Sequence, residues 1–146
     1  MLPNPNELQA KVDARLRIIR TLWFALLVSI GLYYVLTVFT EIPPNPNQPL
    51  SIGLAAAGAL LVIISIPIKQ KYLRQSVDEQ RIELVQTGYL MALVLCEVAA
   101  MFGLLDHFIT GNRYYFVLFI IAVGGDLFNF PRRQHVLDAS FKSSSF

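Results

Sequence analysis

The chain has 146 residues, of which 55% are apolar and 15% charged, with a formal net charge of +2 and a mean hydropathy of +0.53. A soluble domain averages about 45–50% apolar and about 25% charged residues. The composition excludes an ordinary soluble domain and points to a small polytopic membrane protein. The single cysteine, Cys96, excludes an intrachain disulfide and a Cys-based structural metal cluster.

In chain order, segment 1–17 carries Lys11, Arg15 and Arg17, with Arg20 just beyond, and is expected to be a cytoplasmic tail. The apolar run at 21–39 is 19 residues long, close to the roughly 20 that a helix needs to cross about 30 Å of hydrocarbon. In lipid the backbone must satisfy its own hydrogen bonds, so such a run is a helix. No small-residue cleavage site follows it, so it reads as an anchor rather than a signal peptide. Residues 41–49 hold Pro43, Pro44, Pro46 and Pro49 and are expected to form a stiff, extended outer connection.

The second run is 50–68. Between Pro67 and Gly88 there is neither Gly nor Pro, and Ser76-Val77-Asp78-Glu79 has the capping-box form. This predicts that span two continues about two turns into the cytoplasm, turns near 75–76, and hands over to a third helix capped by Ser76. The charged hairpin is either a solvated face or a docking surface for a cytoplasmic partner. The third run, 88–105, is followed by an outer turn at 106–113 punctuated by Gly111. The fourth run, 114–130, has only 17 residues and must cross with little tilt. Residues 138–146 form a second cytoplasmic tail.

Eleven of the twelve Lys and Arg residues precede span one, join spans two and three, or follow span four; Arg113 alone lies in an outer loop. By the positive-inside rule both termini and the middle loop are cytoplasmic. The fold expected is therefore all-α, a single four-span bundle over 1–146. A bacterial inner membrane is its natural home. The chain also repeats weakly. A shift of 66 places Thr21 on Thr87 and Trp23 on Tyr89; a shift of 64 places Pro67 on Pro131 and Ser76 on Ser140. The paired prolines are read as helix ends, and each half as one hairpin of a parallel repeat.

The second half alone carries acids within its spans. A charge at the bilayer centre costs at least about 2.5–3.5 kcal/mol, so Glu97 and Asp126 are the ion-binding candidates. Rise per residue separates them in depth by roughly 9 Å, which makes them separate problems. On span three, Gly88, Ala92, Cys96, Ala99 and Gly103 fall within an arc of about 80°, a stripe on which helices approach closely. Glu97 lies roughly 140° from its centre, so it is expected to point out of the bundle toward a partner subunit or an occluded lipid-facing site. Asp126 shares a face with Ala122, Gly125 and Asn129 inside the bundle, either bonded to a neighbouring helix or Arg or Lys, or serving as an ion site.

The run 92–104, Ala-Leu-Val-Leu-Cys-Glu-Val-Ala-Ala-Met-Phe-Gly-Leu, resembles the carboxylate helix of the rotor-ring proteolipid (c subunit) of rotary ATP synthases. The small-rich run 53–58 and the loop pair Arg74-Gln75 are similar to that family in order and direction, so the resemblance spans 50–105. Where the family has R-Q-P, this chain reads Arg74-Gln75-Ser76. The resemblance implies a proton- or cation-carrying role for Glu97.

No zincin, Walker A, nucleophile-elbow or dinucleotide fingerprint occurs in the sequence. His107 and His135 have no partner at ligand spacing and are expected to be solvated at the two boundaries. No metal, cofactor or nucleic acid is expected. Trp23, Tyr114 and Tyr115 read as interface anchors, and Arg132 and Arg133 as lipid-headgroup contacts. The functional expectation is a non-catalytic membrane subunit or scaffold, partnered by the bilayer and by other subunits or its own copies. The alternative is a proteolipid-like protein with Glu97 as carrier.

Overall fold

The computed structural model describes residues 5–43, 45 and 47–139. It contains five helices: α1 (Pro5–Phe39), α2 (Gln48–Asp78), α3 (Ile82–Thr110), α4 (Phe116–Phe128) and α5 (Arg133–Asp138). There is no strand among the described residues. Three helical stretches, Gln9–Phe39, Gln48–Asp78 and Ile82–Thr110, are long and apolar enough to cross a membrane. Their outward faces carry large apolar side chains, as at Phe39, which is 84% exposed. The pairing of Ser76 with Ser140, the basic residue Lys142, and most of the predicted 138–146 tail lie outside the described residues.

The fourth run is trimmed at both ends. Asn112 Oδ1 accepts from the Tyr114 N–H at 3.0 Å and holds the chain in a turn, so α4 starts only at Phe116. At the other end Pro131 disfavours helix at Phe130, and α4 stops with Asn129 as its cap. Its 13 residues span about 20 Å.

Other boundaries also move. The predicted tail 1–17 is helical from Pro5, with Val12 and Leu16 buried beside Ile19. Ser76 caps nothing: α2 runs on to Asp78, and the buried Ser76 hydroxyl donates to Leu73 O at 2.6 Å inside that helix. The reversal falls at 79–81, where Gln80 takes a left-handed φ of 52°. Pro67 lies within α2 and does not end it, so the two repeat-related prolines differ in effect. α3 continues through Asp106 to Thr110, because Thr110 bonds back one turn to Asp106; only then does Gly111, at φ 57°, terminate it.

α2 and α3 form the central hairpin, with α4 against both, α1 against α3, and α5 returning to α1. One core lies at the end where α1 begins, formed by Val12, Leu16, Ile19, Val85, Tyr89 and Val136. A second, nearer the other end, joins Ile30, Ala99, Ala100, Phe119 and Ala122. Ser51, Gly58 and Ser65, the buried residues of α2 within its apolar stretch, recur every seven positions, the seam spacing of helices that supercoil left-handedly. A Cβ on Gly58 would stand 2.6 Å from Leu118 Cδ2, and one on Gly125 2.6 Å from Val62 Cγ1 and 2.9 Å from Cys96 Sγ. The helices meet closer than any side chain would allow, as small residues permit in membranes.

Candidate functional site

The small stripe of α3 faces inward: Gly88, Ala92, Cys96, Ala99 and Gly103 are all buried. Glu97 lies off that stripe, but α1 covers the flank onto which it projects. Its Oε1 accepts from Ser29 Oγ at 2.7 Å and from the Tyr33 hydroxyl at 3.2 Å. Glu97 is therefore half-buried in an α1–α3 contact of the chain itself, and the expectation that it reaches out to a partner or to lipid is corrected. Ser29 and Tyr33 stand one helical turn apart, which lets both hydroxyls converge on one oxygen.

Asp126 is fully buried, and neither of its carboxyl oxygens has a hydrogen-bond partner. The neighbouring helix bonds its backbone instead, with Trp23 Nε1 donating to Asp126 O at 3.0 Å. Among the described residues no Lys or Arg forms an ion pair with the carboxyl. One turn on, Asn129 Nδ2 donates to Gly125 O at 2.9 Å and Ser65 Oγ at 3.2 Å, and touches Cys96 Sγ at 3.7 Å. Its Oδ1 is buried and unpartnered as well. Three acceptor oxygens thus lie buried without a donor, beside the α2 seam at Ser65.

A second buried acid, absent from the sequence-based candidates, sits toward the opposite end. Asp106 is 2% exposed and is fully engaged. Its Oδ2 accepts from Ser51 Oγ at 3.0 Å and Asn112 Nδ2 at 2.8 Å, and its Oδ1 from Thr110 Oγ1 at 2.8 Å. The cluster ties α2, α3 and the α3–α4 turn together. His107 beside it is buried, with Nε2 3.0 Å from Thr40 O and its ring packed at a tilt of 52° against Tyr115, centroids 4.4 Å apart. It is not the solvated histidine expected. A cavity of about 930 Å³ opens at this end, with Asn47, Asn112 and Arg113 in its wall.

At the α1 start, Tyr89 organises the approach of α5. Its hydroxyl lies 2.6 Å from His135 Nδ1 and accepts the Arg132 backbone N–H at 3.1 Å. Burial, reinforced by Lys69 and Arg132, pushes the His135 imidazole below its usual value of 6.5, with Asp138 acting in the opposite sense. A neutral ring accepting the tyrosine proton at Nδ1 fits both facts, so His135 is a packed group and not a solvated one. Arg133 bonds Asp13 of α1 at 3.1 Å, while Arg132 is exposed. Among the described residues no three His, Cys, Asp or Glu side chains gather as a metal site.

The residues missed in the sequence are Ser51, Asp106, Asn112, Ser65 and Asn129 as polar partners, and Ser29 and Tyr33 as the donors to Glu97. The seven-residue spacing of Ser51, Gly58 and Ser65 was the available signal for the first group. In comparisons with known proteins no family model matches the chain, and neither a curated protein nor a solved structure does.

Proposed function

We propose that this chain is a small four-helix integral membrane protein that binds a proton within the membrane layer, with Asp126 as the binding group. The observation that carries the reading is the fully buried Asp126 carboxyl lacking any donor. Burying an ionised carboxylate without partners is prohibitive, and the group neutralises instead. One proton turns an acceptor oxygen into a donor, and Asn129 Oδ1, one turn along α4, is an unpartnered acceptor in the same cluster.

The topology that goes with this reading puts both termini and the 79–81 turn in the cytoplasm of a bacterium, in its inner membrane. Arg113 stands at one end of α4 and Arg132 and Arg133 at the other, in the asymmetry that the positive-inside rule favours. The bilayer thins locally around the short α4. A repeat of two hairpins is supported by Ser65 and Asn129, equivalent at the 64-residue shift and joined by a hydrogen bond.

Infrared difference spectroscopy of the protein in lipid tests the proposal. A protonated-carboxyl carbonyl band at neutral pH is expected, and it should vanish in Asp126→Asn. A wild-type spectrum without that band would refute it. A second reading, a non-catalytic subunit of a larger membrane complex, is favoured by the short connections between the helices, 79–81 between α2 and α3 and 111–115 between α3 and α4. Mild-detergent purification followed by mass spectrometry tests it; a purely monomeric species with no co-purifying protein would sink it.

A further inference from the structure

We propose that the end of the molecule around Arg113 binds one membrane phospholipid, its phosphate at Arg113 and one acyl chain in a groove between α1 and α4. Two spaces adjoin there. The cavity of about 930 Å³ is walled by polar groups including Asn47, Asn112 and Arg113. An apolar groove of about 340 Å³ is lined by Ile30, Gly31, Phe119, Ile120 and Val123. Tyr34 and Phe116 line both, so the polar space continues into the apolar one. A chamber at a helix end whose wall carries Asn47, Asn112 and Arg113 beside aromatic rings, and which runs on into an apolar slot along the helices, has the shape of an amphiphile. Both volumes fall in the range of roughly 300–1,000 Å³ typical of ligand pockets.

Charge and sequence select the occupant further. Arg113 lines the cavity and no Asp or Glu does, so an anionic phosphate is the group that the wall favours. Gly31 is the second clue. A Cβ built there meets nothing within 4 Å, so no helix packs close enough to require glycine. Glycine inside a helix is destabilising relative to alanine. What its missing side chain leaves open is the floor of the groove. This inference rests on the membrane embedding proposed above and is independent of the proton site.

The test is native mass spectrometry of the protein released from nanodiscs containing equal phosphatidylglycerol and phosphatidylcholine. The wild type is expected to retain one phospholipid, enriched at least threefold in phosphatidylglycerol. Gly31→Phe should fill the groove and lose the lipid while keeping helicity and melting temperature; Gly31→Leu is the smaller plug if phenylalanine impairs folding. Arg113→Gln should keep a lipid but lose the headgroup preference. A wild type that emerges bare, or a lipid count unchanged by either plug, would overturn the proposal. So would a dimer that the Gly31 plugs dissociate, since it assigns the groove to a second copy. Failure to enter nanodiscs at all would instead strike the membrane reading.

Discussion

Two buried aspartates at opposite ends of the α2 seam end in opposite hydrogen-bonding situations. Asp106, beside Ser51, receives three donors, from Ser51, Asn112 and Thr110. Asp126, one turn before the Asn129 that bonds Ser65 two heptads along the seam, receives none. The difference comes from who supplies donors. At Ser51 the α3–α4 turn folds Asn112 back over the carboxyl. At Ser65 the equivalent amide, Asn129, gives its N–H groups to Gly125 O and Ser65 and turns a bare oxygen to the cluster. A carboxylate with three donors is a clamp, and one with none is a place for a proton. Burial alone therefore does not identify a functional acid; the donor count around it does.

The clamp predicts the largest effect. Asp106→Ala removes the shared acceptor of Ser51, Thr110 and Asn112 and unties α2 from the α3–α4 turn. It should cost about 1.5–3 kcal/mol, the range for hydrogen bonds to a charged group, read as a fall in melting temperature in detergent. An unchanged melting temperature would erase the contrast between the two acids. Next in size is Gly125→Ala, at the close contact beside Asp126. Its Cβ would meet Val62 at 2.6 Å and Cys96 Sγ at 2.9 Å, and overpacking of this kind costs roughly 1–3 kcal/mol. Gly31→Ala, where nothing lies within 4 Å, is the control and should not destabilise.

These contrasts show what could be read from the sequence alone. Hydropathy and length suffice for α2 and α3, and helical periodicity suffices for the inward stripe from Gly88 to Gly103. The start of α1 was hidden because Lys11, Arg15 and Arg17 alternate with Val12, Leu16 and Ile19. Averaged hydropathy reads such a stretch as a tail, although its apolar residues recur at helical spacing. The Ser76 capping box misled because a serine hydroxyl can equally bond a carbonyl within a continuing helix, and burial against the hairpin made that the outcome. The environment of Glu97 was illegible for another reason. Periodicity says which way a side chain points from its own helix, not which helix stands there. The Asp106 partner Ser51 lies 55 positions away in sequence, beyond any local pattern.

A smaller, local effect is expected at the other end of the molecule. His135 faces Tyr89, Lys69, Arg132 and Asp138, and its imidazole is held below 6.5 mainly by burial. In the unfolded or undocked state it takes up a proton at about 6.5. The docked state binds fewer protons there, so docking of α5 is fully stable above that value and weakens as pH falls below it. Protonated Nδ1 can no longer accept the Tyr89 hydroxyl. The protection of 133–138 against hydrogen exchange, relative to the intrinsic exchange rate at each pH, should therefore fall on acidification from pH 7 to 5, and His135→Gln should flatten that dependence. Protection that rises over this interval would show the sign to be reversed.

The smallest change in stability is expected where the comparison is sharpest. Asp126→Asn preserves the shape of the side chain and replaces two unpartnered oxygens with one oxygen and one N–H donor. With Asn129 Oδ1 also without a partner, the new donor has an acceptor in the same cluster, so the substitution should leave the melting temperature unchanged or raise it by the equivalent of about 1 kcal/mol. The same exchange at Asp106 puts an N–H donor where a carboxyl oxygen now accepts from Ser51 and Asn112 or from Thr110, and at least one of those side-chain bonds is lost. Aspartate-to-asparagine substitution should therefore separate the two acids by sign as well as size. A large loss of stability in Asp126→Asn would mean that the buried carboxyl is held as an anion by partners, and the proton-binding reading would fall with it.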